Sequence, residues 1–137
     1  MGIDVYVAKS EQDTWHKEPE FYDHNHDLAI EKLSARVYRR DEYSLLRRID
    51  PYDKVVFNHD ELHLLHEELR TYREHLNTKE LEEPKSNIGW KKYYIYTEIP
   101  EKFYIISIEE RDAISKLIKV VEENLGNPDM GIIFMGD

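Results

Sequence analysis

Residues 55–76 read VVFNHDELHLLHEELRTYREHL and hold the clearest helix in the chain. Asn58 is a good N-cap, and Glu61 three residues on completes a capping-box pairing, with Asn in place of Ser or Thr. Leu62, Leu65, Leu69, Tyr72 and Leu76 recur at three- and four-residue steps, so they share one face of a 3.6-period helix and that face must be buried. Val55, Val56 and Phe57 predict a short buried strand that feeds straight into this helix. A second stripe, His59, His63, His66 and Arg70, runs along the margin of the Leu face, its three imidazoles within roughly 60° of one another.

Two histidines one turn apart can chelate a divalent metal, and Glu67 is the nearest carboxylate on the same helix. The HExxH pattern of zinc proteases is incomplete, because Asp60 stands where its Glu belongs. Upstream, Asp23, His24, Asn25, His26 and Asp27 form a second cluster. On an extended segment His24 and His26 project to one side, with Asp23 and Asp27 able to ligate or to orient a ligand. Structural readings compete with both: half-exposed histidines bordering a core helix, and Asn25 or Asp27 capping the helix that follows. If the clusters met, His24, His26, His59 and His63 would bind zinc or a similar ion, and Glu67 would act as base toward bound water.

Among 137 residues there is no cysteine, so disulfides, thiolate metal sites and cysteine nucleophiles are all excluded. The length predicts one domain spanning residues 1–137, large enough for a hydrophobic core without staples. The opening MGIDVYVAKSEQD has neither a basic region nor a long apolar run, so no signal peptide or membrane association is expected and the cytoplasm is the default compartment. Twenty-nine acidic residues against 19 basic ones give a formal charge of −10, which argues against duplex nucleic acid and permits a basic protein partner. Ten tyrosines suit a wet core margin or a contact surface, including that of a homodimer.

Ile3, Val5 and Val7 alternate with Asp4 and Tyr6, the period of a strand. Residues 9–27 read as a long polar loop. Ile30, Leu33 and Val37 predict a helix over about 27–38, and Asp41 can cap another with Leu45, Leu46 and Ile49 inward, stopped by Asp50-Pro51. Arg36, Arg39, Arg40, Arg47 and Arg48 are compressed into this window. Their forks suit an anionic ligand or an acidic partner helix. With no Gly-rich phosphate loop beside them, a solvated face paired with Asp41, Glu42 and Asp50 is the favoured reading.

Residues 77–89 carry Pro84, lack periodicity and read as an exposed connection. Two aromatic-rich runs, 90–97 and 103–106, predict strands joined in a hairpin-like way. Ser107 and Glu110 suggest a capping box for a last helix with Ile108, Ala113 or Ile114, Leu117, Val121 and Leu125 inward. Gly126 and Pro128 end it, and GIIFM, residues 131–135, predicts a final strand. The tally fits a single α+β domain, with a mixed or antiparallel sheet of about five strands and helices packed mainly on one face.

The opening MGIDVYV and the close, a capped helix followed by IIFMGD, resemble those of small bacterial proteins without an assigned activity. The resemblance covers about twenty residues at the two ends, implies a strand at each end and a bacterial or phage origin, and carries over no functional residue. No nucleophile elbow and no Walker or Rossmann glycine pattern occurs. The expectation is therefore a non-enzymatic protein-binding module, immunity- or inhibitor-like, with a metal-dependent hydrolase or metal-binding protein as the alternative.

Overall fold

The structure, a computed structural model, describes residues 3–9, 18–22, 29–77, 103–104 and 108–136. In chain order its elements are β1 (Ile3–Ala8), β2 (Phe21–Tyr22), α1 (Ala29–Val37), β3 (Lys54–Phe57), α2 (Leu62–His75), β4 (Leu76–Asn77), β5 (Phe103–Tyr104), α3 (Ile108–Asn124) and β6 (Gly131–Gly136).

The main sheet runs β2-β1-β6-β3, every neighbouring pair antiparallel. Strand β6 lies between β1 and β3, with Phe134 opposite both Val5 and Val55, and Ile132 opposite both Val7 and Phe57. Because side chains alternate along a strand, this register gathers Ile3, Val5, Val7, Val55, Phe57, Ile132 and Phe134 on one face. The apolar stripes of α1, α2 and α3 close over that face in one core, where the Phe57 and Phe134 rings meet edge to face at 5.6 Å. The α+β class therefore holds, with the described helices packed on one face of the sheet. Gly136 permits a close crossing: its N–H donates to Asp53 O at 2.9 Å, and a Cβ there would stand 2.2 Å from Pro51 O.

Helix α2 follows its reading closely. Asn58 Oδ1 accepts from Glu61 N and Glu61 Oε1 accepts from Asn58 N, both at 3.1 Å. This box opens a single 3₁₀ turn, His59–Glu61, that runs directly into Leu62. Leu62, Leu65, Leu69, Tyr72 and Leu76 are all buried. The last helix likewise buries Ala113, Ile114, Leu117 and Val121.

Several expectations need correction. The helix expected after Asp41 is only a 3₁₀ turn, Leu46–Arg48, although Leu45, Leu46 and Ile49 are buried as anticipated. Ile49 turns out to extended backbone just ahead of Asp50-Pro51, so no second turn propagates. Phe21–Tyr22 was expected within a loop, yet Phe21 pairs with Val5 and is buried. Among the described residues the main sheet is narrower than five strands: three full strands plus the two-residue β2. Leu76 and Asn77 leave the helix to pair in parallel with Phe103 and Tyr104 as a separate ribbon. The expected strand over 90–97, most of the connection over 77–89 and the cap at Ser107 lie outside the described residues. Among the described residues no helix is long and apolar enough to cross a membrane.

Candidate functional site

Helix α2 presents a different chemistry on each of its four sides. Its Leu face is in the core. On one flank Glu68, 5% exposed, reaches back to the segment before β3. Its Oε1 accepts from Leu45 N at 2.9 Å and Leu46 N at 3.1 Å, and its Oε2 from Ser44 Oγ at 3.1 Å. A carboxylate facing buried amides at the start of a turn acts as a cap supplied from a distance. On the same flank Tyr43 Oη and His75 Nδ1 lie 2.8 Å apart.

Where α1, α2 and α3 converge, Arg36 Nη1 donates to Tyr72 Oη at 2.9 Å and to Glu110 Oε1. All three residues are buried, with the Arg36 and Glu110 side chains 2% and 0% exposed. Burial pulls the Arg36 guanidinium down, but the Tyr72 hydroxyl and the Glu110 carboxylate more than offset this and hold it above its ordinary value. Burial pushes the Tyr72 hydroxyl up to about 12, against the lowering influence of Arg36.

The outer side of α2 is acidic. Asp60, Glu67 and Glu74 recur at seven-residue steps and are exposed, with Leu64, 44% exposed, between the first two. The remaining side faces α3 across a groove of about 770 Å³. From α2 the groove receives His66, Arg70 and Arg73; from α3 it receives Ser115, Ile118, Lys119, Glu122 and Glu123. Lys119 Nζ lies 4.0 Å from Glu123 Oε1, and His66 Nε2 lies 3.9 Å from Glu122 Oε2. His66 Nε2 is buried without a hydrogen-bond partner among the described residues.

The anticipated arginine cluster does not converge. Arg36 is in the core and is not available to an external anion. Arg40 pairs with Glu42 at 3.3 Å and Arg47 with Asp41 at 2.7 Å, while Arg39 stacks on Tyr38. Arg48 pairs with Glu61 at 2.6 Å and donates to Val56 O at 3.3 Å. These are the solvated pairs favoured from the sequence, with Glu61 added and the Asp50 pairing replaced: Asp50 Oδ1 instead accepts from Tyr52 N.

The metal candidates are only partly described. His24 and His26, with Asp23 and Asp27, lie outside the described residues. His63 and Glu67 are exposed on α2. His59 Nδ1 is also buried without a partner among the described residues. His59 and His66 are seven residues apart, however, a rise of roughly 10 Å that no single ion spans. Among the described residues no three His, Asp or Glu gather as a metal shell. Arg73, Ser115 and Lys119 complete the groove without having been singled out in the sequence. The sequence stripe held His66 and Arg70, and the seven-residue step from His66 to Arg73 is the signal that could have extended it.

No protein family, curated protein or solved structure matches the chain.

Proposed function

We propose that the chain is a non-enzymatic binding module, immunity- or inhibitor-like, that occupies a basic protein partner through the outer side of α2. The observation that carries this reading is the exposed ridge of Asp60, Glu67 and Glu74 around Leu64. Two carboxylates on a rigid helix and a third in the 3₁₀ turn that leads into it supply a field of one sign, and a central apolar side chain supplies something to bury once the partner has docked. The helix is anchored by a buried Leu face, so its ridge is presented with little ordering cost on association. A net charge of −10 extends the attraction beyond the contact patch.

The test compares the wild-type chain with Glu67→Lys/Glu74→Lys as affinity baits in lysate of the source cells. The reading expects a basic protein captured by the wild type and lost with the variant. The purified pair should associate more slowly as salt rises. An identical captured set for both baits, or a salt-independent association rate, would overturn it. Stoichiometric zinc in the untagged protein, lost on His63→Ala, would replace it with the metal reading.

A further inference from the structure

We infer that the groove between α2 and α3 is a binding site for a small phosphate-bearing anion, separate from the acidic ridge. Arg70 and Arg73 enter it from α2, and their side chains make no hydrogen bond or ion pair among the described residues. Both sit in a chain with ten more negative than positive charges, where nearby carboxylates are plentiful. By contrast, Arg36, Arg40, Arg47 and Arg48 each carry an ion pair.

The direction of the two helices places the charges. His66 faces Glu122 at 3.9 Å, whereas Tyr72 and Glu110 share the same Arg36 nitrogen. Descending α2 therefore corresponds to ascending α3, and the helices are antiparallel. The groove's carboxylates, Glu122 and Glu123, gather at the His66 end. Arg73 lies toward Ser115, where no carboxylate among the described residues lines the wall. Lys119, its own carboxylate a marginal 4.0 Å away, lies between.

Two guanidinium forks, an ammonium and a hydroxyl thus line one groove from two walls. That set matches the several acceptor oxygens of a phosphate better than the single edge of one carboxylate, which one fork would satisfy. His66, at the other end of the groove, has its Nε2 buried without a hydrogen-bond partner among the described residues. A volume of about 770 Å³ accommodates a small phosphorylated molecule rather than a bare ion alone.

The experiment is a ¹⁵N–¹H correlation titration of the full chain with sodium pyrophosphate at low ionic strength. Saturable shifts are expected at amides of residues 66–73 and 115–119. Arg70→Gln/Arg73→Gln should weaken binding at least about tenfold, whereas Arg39→Gln/Arg47→Gln, which removes the same charge elsewhere, should change it by less than about twofold. The spectra themselves report whether each variant is folded. Equal weakening by both pairs, shifts confined to other residues, or no saturable shift would overturn the site. Citrate binding as tightly as pyrophosphate would overturn its assignment to phosphate.

Discussion

Arg36 and Glu110, 74 positions apart in the chain, form an ion pair with side chains 2% and 0% exposed. Removing either partner strands a charge in the core, and the penalty for that exceeds the net worth of the pair. Glu110→Ala should therefore cost about 3–5 kcal/mol in urea unfolding. The apolar double variant Arg36→Met/Glu110→Leu should recover much of that loss. Additive losses in the double variant would show that the two residues act independently.

Glu68 ties α2 to the segment before β3 through backbone amides rather than through another charge. Glu68→Ala should cost about 2–3 kcal/mol, since two buried N–H groups lose their acceptor. The amides of Leu45 and Leu46 should then exchange with deuterium much faster than in the wild type. Unchanged protection at both would mean that the turn holds itself.

Alkaline pH should expose the burial of Tyr72. Its hydroxyl is raised from 10.0 to about 12, burial being the main cause. Between these values the unfolded chain releases a proton that the native chain keeps. Stability is therefore unaffected by this group below about pH 10 and falls as pH rises toward about 12, by roughly 2–3 kcal/mol at the limit. Urea midpoints at about pH 9 and pH 11 measure the slope, and Tyr72→Phe should flatten it relative to the wild type. Parallel slopes for the two proteins would refute the assignment.

The glycines of the last helix–strand unit should separate cleanly by environment. Gly136→Ala would drive a Cβ to 2.2 Å from Pro51 O, and backbone must move to relieve it. A loss of about 2 kcal/mol or more is expected. A Cβ at Gly126 meets nothing within 4 Å, so Gly126→Ala should stay within about 1 kcal/mol of the wild type. Thermal melts of the two variants decide the matter, and equal midpoints would contradict the close crossing.

Periodicity made α2, α3, β1 and β6 legible, because a buried stripe of Leu, Ile or Val leaves its spacing in the sequence. What was not legible depends on pairing between distant segments. Glu68 sits between Leu65 and Leu69 and reads as one more solvated acid, since its partners are amides 22 and 23 positions back that no pattern marks. Arg36 looked like a member of a surface arginine cluster until α3 brought Glu110 against it. Half of the groove was visible as the His66–Arg70 stripe, but the wall that turns a stripe into a site belongs to α3.

Strands β1 and β3 lie in one sheet on either side of β6, which follows both in the chain and, among the described residues, is the one strand that joins them. During synthesis their facing edges stay open until residues 131–136 arrive, so sheet closure must wait for about 130 residues of chain and cannot proceed hairpin by hairpin. The pairings that complete the sheet are thus among the longest in sequence separation, which slows folding relative to a chain of local hairpins. Cleavage in the turn between α3 and β6 would separate the strand that joins them from the body it closes.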